Sequence, residues 1–204
     1  SPRAMEARAE NVGTGQWRLY GTKQWIGSAQ WASVLNVFAR EGSTYSVGGH
    51  IVRQGAAGLR MGPEAPTMGL RGMIQNTVFL EGVRTSRRDR LGTEGKGMEV
   101  AQYALSFTRL AIGAMCIGAM RRCAQIALRY AERRQISTGS LLENPTTLAK
   151  LGRMTAATYA LDRLIYRLAA AADAGEEVPV EALAACKVAA PELLWRATDD
   201  LMQL

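Results

Sequence analysis

Two stretches of different texture predict an α+β fold, an antiparallel β-sheet or barrel followed by an antiparallel helical bundle. Three observations carry this. Residues 1–92 hold short β-branched and aromatic runs punctuated by glycine. From Met98 to about Arg133 no proline occurs and apolar residues recur at helical spacing. Two further helix-length segments then follow, each with its own start signal. The chain has 204 residues, 48% hydrophobic and 21% charged, which is ample for a packed core and argues against disorder.

In the first stretch, Trp17-Arg18-Leu19-Tyr20, Ser33 to Phe38, Tyr45 to Val52 and Thr77 to Leu80 read as strands. Gly13-Thr14-Gly15, Gly48-Gly49 and Gly55 supply turns between them. The link Leu91-Gly92 to Gly97 leads into the first helix, where Val100, Ala104, Phe107, Ala111, Ala114/Met115 and Gly118 form a stripe. Its longest apolar run, Leu110 to Met120, is eleven residues. A bilayer span needs about 20, so a buried helix and no membrane span are expected. Asn144-Pro145 is an N-cap followed by a first-turn proline, opening a second helix through Leu148, Leu151, Met154, Leu161 and Leu168 to Gly175. The third begins near Pro179, and Pro191 inside it predicts a kink or a break. Three helices leave a bundle incomplete, and the helical pattern is still running at Leu204. The expectation is an internal piece of a longer protein, with one domain over 1–92 and an incomplete helical domain over 93–204.

Lys+Arg 25 against Asp+Glu 18 gives a net charge of +7. Residues 1–92 carry 12 basic and 6 acidic residues, the remainder 13 and 12. The excess favours an anionic partner without choosing between nucleic acid, membrane surface and phosphorylated small molecule. His50 is the single histidine, so a histidine-rich metal site is excluded and a Ser-His-Asp triad would have to use it. Cys116, Cys123 and Cys186 are odd in number and form no CxxC pair, and they read as reduced, buried thiols of an intracellular, cytoplasmic protein. Ser1-Pro2-Arg3-Ala4 has none of the apolar stretch of a signal peptide.

Several residues bear chemistry. Gly92, Gly95 and Gly97 precede a helix but lack the dinucleotide-binding spacing, so a flexible loop is favoured. Arg84, Arg87, Arg88 and Arg90 have no interleaved aromatics for base stacking, and a solvated loop is favoured. His50, in a strand, reads as structural. Arg109 interrupts an apolar helix and needs a partner, either a carboxylate or a ligand. Arg133 and Arg134 suit a helix C-terminus. Trp25 reads as core, the alternative being a flat face for a planar cofactor.

The order of motifs resembles a known family. Trp17-x-Leu19-x-Gly21-x-Lys23-x-Trp25-Ile26, then Ala39-Arg40, then Gly58 closing a strand pair, is similar to the middle β-domain of the acyl-CoA dehydrogenases. Val78-Phe79-Leu80-Glu81-Gly82-Val83 looks like that domain's last strand, and Leu91-Gly92 to Gly97 like the link to the helical domain. Thr108-Arg109, Gly118 and Tyr130-Ala131-x-x-Arg134 resemble the helical domain's first helix.

The resemblance implies an FAD enzyme that takes a hydride from the β-carbon of an acyl thioester while a carboxylate takes the α-proton, giving the trans-2-enoyl product. Electrons would pass to an electron-transfer flavoprotein or to oxygen. Trp25 and Ile26 would lie against the isoalloxazine, with Gly27 and Ser28 beside its N5. Arg134, or Arg133 in its place, would pair with the FAD pyrophosphate, with Ser137 alongside. Leu105, Thr108 and Arg109 would line the substrate cleft. Four departures stand out. Gly27 replaces the usual Ser or Thr, and Arg134-Gln135-Ile136-Ser137-Thr138-Gly139 replaces Arg-x-x-Phe-Gly. Ser106 stands where an acid often precedes the cleft arginine, and the N-terminal helical domain and the usual catalytic glutamate lie outside the 204 residues. The substrate is then an acyl group on CoA or on an acyl-carrier protein. Thr108 is too weak a base, and Glu99, ten residues before Arg109, is about 15 Å away along the helix. The catalytic base is therefore expected beyond Leu204. A homotetramer or homodimer is expected, with no metal. The competing classes are a non-catalytic subunit of a heteromeric dehydrogenase, a flavin oxidase or monooxygenase relative, and a basic nucleic-acid or partner-binding module.

Overall fold

The computed structural model describes residues 5–42 and 46–204. Tyr45, the start of the third expected strand, lies outside them. Seven strands form one sheet: β1 (Arg8–Gly13), β2 (Gln16–Gly27), β3 (Val34–Glu41), β4 (Val47–Arg53), β5 (Leu59–Glu64), β6 (Gln75–Ser86) and β7 (Arg90–Leu91). Their order is β5-β6-β2-β1-β3-β4-β7. Alternation builds the core: Trp17 and Leu19 of β2, Leu35, Val37 and Ala39 of β3, Val52 of β4, and Val78, Leu80 and Val83 of β6 point to one buried cluster.

The sheet corrects the expectation in two respects. It is mostly antiparallel and does not close into a barrel, and β1 pairs with β3 in parallel through Arg8↔Arg40 and Ala9↔Glu41. Strands β1 and β5 were not foreseen. Only Ala9 of β1 is buried, and β5 contains Arg60, Gly62 and Pro63, so neither carries the apolar alternation that signals a strand.

Helix α1 (Gly97–Arg133) is followed by a two-stranded hairpin, β8 (Gln135–Ile136) and β9 (Gly139–Ser140), then by α2 (Pro145–Asp173) and α3 (Val180–Met202). The Asn144 side chain accepts a hydrogen bond from the Thr146 N–H at 2.9 Å, with Pro145 opening the first turn, as its sequence predicts. Gly175, at φ +73°, terminates the segment. Pro191 is exposed, and α3 runs through it without the expected break.

The expected inward stripe of α1 is corrected. Phe107, Ala111, Ala114, Met115 and Gly118 are exposed, while Gly113, Cys116, Ile117, Met120, Ala127 and Ala131 are buried, most of them against α2 and α3. The helix is apolar on more than one face, so periodicity alone does not say which face packs. By length and composition α1 is also apolar enough to cross a membrane, with mean hydropathy 1.4 and 22% of its most apolar window buried. Internal contacts divide the chain into two compact units, residues 1–103 and 104–204.

Candidate functional site

In the first unit the distinctive geometry is at the end of β2. The β2–β6 register shifts between Lys23 and Ile26. Trp25 has φ +59° and Ser28 φ +57°, left-handed values that cost roughly 1–3 kcal/mol each for non-glycine residues. The bulge turns the Trp25 indole outward to 68% exposure. The expectation that Trp25 is core is overturned, because the bulge breaks the alternation that would have pointed it inward. Ser28 is pinned through its backbone: its N–H donates to the Ile74 carbonyl at 2.6 Å, and its carbonyl accepts from Trp31 and Ala32 N–H, each at 3.0 Å.

Ile26 and Gly27 border a cavity of about 320 Å³ lined also by Lys23, Val34, Asn36 and Phe38. Burial pushes the Lys23 ammonium below its ordinary pKa. On Gly27, a Cβ would come within 3.3 Å of the Met73 Sδ and 3.4 Å of the Gln75 Nε2. Those two side chains therefore occupy the room that a larger residue at 27 would need. An outward indole offers a flat face suited to a planar ring.

In the second unit, Leu105, Thr108 and Arg109 share one face of α1 through i, i+3 and i+4 spacing. The Thr108 hydroxyl donates to the Leu105 carbonyl at 2.9 Å. Arg109 is half-buried and pairs with no carboxylate among the described residues. Arg133 closes α1, Arg134 follows it, and Ser137 sits in the β8–β9 turn, all three exposed. The Arg134 carbonyl accepts from the Leu141 N–H at 2.9 Å, which fixes the chain as it leaves the helix. These two groups are not brought together: 28 residues of α1 separate Leu105 from Arg133, roughly 42 Å along the axis.

One cluster was missed in the sequence. The Arg90 guanidinium, 6% exposed, grips Glu41 with two hydrogen bonds, one of 3.0 Å to Oε2, and lies 4.5 Å over the Trp17 ring. The Gly95 N–H donates to Glu41 Oε2 at 3.2 Å. His50 Nδ1 is 3.0 Å from the Thr85 hydroxyl, and its Nε2 is 3.2 Å from Glu41 Oε1 without hydrogen-bond alignment. Thr85, His50 and Glu41 thus line up as hydroxyl, imidazole and carboxylate. Thr85 is only 5% exposed and Glu41 is engaged by Arg90, so no substrate reaches the hydroxyl and His50 is structural. The expectation of a solvated arginine loop is corrected for Arg90, while Arg84, Arg87 and Arg88 are exposed. No signal local to Arg90 marks its burial, since its partner Glu41 is 49 residues away.

Burial alone would raise the Glu41 pKa, but the Arg90 hydrogen bonds and charge hold it below the ordinary value. Burial, reinforced by Arg90, lowers that of His50. The Arg53 hydrogen bond, 2.7 Å long, holds Asp89 below its ordinary value. All three cysteines are free; Cys116 and Cys186 are buried, which raises their thiols, while Cys123 is only half-buried, against the expectation for all three. Among the described residues no group of three His, Cys, Asp or Glu side chains is arranged to hold a metal ion.

Comparison with known proteins decides the family. The model of the acyl-CoA dehydrogenase C-terminal domain matches residues 95–204, and that of the acyl-CoA dehydrogenase middle domain matches residues 1–83. The chain belongs to the acyl-CoA dehydrogenase family. It is 30% identical over 198 residues to a very long-chain specific acyl-CoA dehydrogenase of Macaca fascicularis, covering 92% of this chain and 30% of that protein. Among solved acyl-CoA dehydrogenase structures, the butyryl-CoA dehydrogenase of Megasphaera elsdenii superposes with TM-score 0.92 at 24% identity, over 100% of this chain and 55% of that one. A glutaryl-CoA dehydrogenase from Mycobacterium smegmatis in complex with FADH2 superposes with TM-score 0.90 at 24% identity, over 100% of this chain and 51% of that one. The chain therefore spans about a third to a half of these acyl-CoA dehydrogenases. The motif resemblance and the predicted α+β fold are both borne out.

Proposed function

We propose that this chain supplies the middle domain and part of the C-terminal domain of an FAD-dependent enzyme that converts an acyl thioester, on CoA or an acyl-carrier protein, to its trans-2-enoyl form. The observation that carries the reading is the strained, outward Trp25, two residues before a Gly27 that faces the Gln75 amide, in a domain matching the acyl-CoA dehydrogenase middle domain. FAD, when bound, accepts the hydride. Trp25 and Ile26 present an apolar face to the ring, with Gly27 and Ser28 at its edge. Arg134, or Arg133, meets phosphate with a charge-assisted hydrogen bond, and Ser137 adds a hydroxyl. Leu105 and Thr108 contact the acyl chain, and the Arg109 guanidinium, which pairs with no carboxylate among the described residues, meets an anionic part of the substrate. The α-proton goes to a glutamate outside these 204 residues. Electrons pass to an electron-transfer flavoprotein or to oxygen, and the enzyme is a cytoplasmic homo-oligomer.

The test is reconstitution of the full-length protein with excess FAD, followed by desalting and a visible spectrum. A yellow protein with a flavin band is expected, and a colourless one refutes the reading. Arg134→Ala is expected to weaken FAD binding by roughly 1.5–3 kcal/mol. Weakening by Arg133→Ala alone would move the phosphate contact one residue back.

A further inference from the structure

We propose that the Gln75 carboxamide is the hydrogen-bond donor that this chain offers to the edge of the bound flavin ring. The proposal rests on the flavin reading above and names a positioning residue within it. Gln75 opens β6 and is the direct antiparallel partner of Gly27. Its Nε2 lies 3.4 Å from where a Gly27 Cβ would be, so the amide fills the place of the side chain that Gly27 lacks. The Met73 Sδ, 3.3 Å from the same point, closes the other side. The Gln75 backbone carbonyl accepts from the Ala65 N–H at 2.8 Å, which holds the residue in place. Its carboxamide has no hydrogen-bond partner among the described residues.

The half-buried Gln75 amide faces Gly27 across the ladder, two residues from the outward Trp25. Its two N–H groups are able to donate, and a flavin ring edge carries carbonyl oxygens and ring nitrogens that accept. The flanking residues Trp25 and Ser28 both hold left-handed backbone, and such strain clusters where a ligand is clamped. Reduction places additional negative charge on the ring, so a donor at its edge favours the reduced form more than the oxidised one. Gly27 itself has no left-handed φ, so a serine fits there provided the flexible ends of Met73 and Gln75 give way slightly.

The experiment measures FAD affinity by fluorescence titration and the flavin midpoint potential by spectroelectrochemistry, on full-length wild type, Gln75→Leu, Gln75→Glu, Ser28→Ala and Gln75→Leu with Gly27→Ser. Gln75→Leu is expected to weaken FAD binding about three- to tenfold, the range of one neutral hydrogen bond, and to lower the potential. Gln75→Glu keeps the side-chain length while losing the donor, so it is expected to lower the potential further and guards against a folding defect in the leucine variant. Gly27→Ser is expected to restore much of the loss in Gln75→Leu by supplying a hydroxyl at the same place. If wild type binds FAD while both Gln75 variants keep its affinity within twofold and its potential unchanged, the role of Gln75 is overturned and the flavin reading stands. If Ser28→Ala alone produces the losses, the donor is Ser28 and the proposal fails. If wild type binds no FAD, both fail.

Discussion

Replacing Arg90 by methionine removes the guanidinium that faces the Glu41 carboxylate and leaves the hydrophobic stem. The two side chains are only 6% and 10% exposed, so little water replaces the lost partner. Unit charges about 4 Å apart at an effective dielectric near 20 attract by about 4 kcal/mol. Removing one partner of a buried pair typically costs about 3–5 kcal/mol. Both routes give about 4 kcal/mol for Arg90→Met. Urea unfolding followed by circular dichroism and tryptophan fluorescence reads this directly. With a slope of about 2 kcal/mol/M, the midpoint of the transition reporting the β-unit is expected to fall by about 2 M. Adding Glu41→Leu to Arg90→Met is expected to recover much of the loss, because the stranded carboxylate disappears. A loss below about 1 kcal/mol, the scale of an exposed pair, or a double variant no more stable than the single, would refute the account of Glu41 and Arg90 as a buried, mutually dependent pair.

Acid is expected to destabilise the β-unit in two stages. His50 has a lowered folded-state pKa, so the stability it contributes is complete above about 6.5 and is lost as pH falls below that value. Glu41, also lowered, holds its contribution above its ordinary carboxylate pKa and loses it as pH falls through the folded value. Thermal melts from pH 7.5 to 3.5 are expected to show both losses, and His50→Phe to flatten the first while leaving the second; an unchanged slope in His50→Phe would contradict this. Gly97→Ala would bring a Cβ within 2.6–2.8 Å of the backbone of Val47, Gly48 and Gly49, costing at least about 1–3 kcal/mol in urea unfolding. Gly118→Ala meets nothing within 4 Å on α1, so it is expected to raise stability by roughly 0.5–1 kcal/mol in the same measurement. The 204-residue segment supplied with FAD is expected to show no acyl-thioester dehydrogenation. Turnover by the segment, abolished by changing one of its own carboxylates, would place the base inside it.

What the sequence determined by itself rests on signals that act over a few residues. Asn144 and Pro145 start α2 because a cap and a fixed φ need only the next turn. Gly175 stops it because its positive φ is accessible to glycine without strain. The change from period-two runs to a long proline-free stretch separated the sheet from the helices, and the ordered motifs carried the family. Tertiary structure decided what depends on partners far along the chain. The buried face of α1 is set by α2 and α3, since its own residues are apolar on both sides. Arg90 is buried because Glu41, 49 residues earlier, supplies the counter-charge, and His50 finds its hydroxyl in Thr85, 35 residues later. Trp25 faces outward because β2 shifts register against β6, and Gln75 reaches Gly27 only through that same ladder. Chain-local chemistry fixes where an element begins and ends, whereas the face it buries and the atoms that meet across it follow from the free energy of burying and pairing groups brought together by the whole fold.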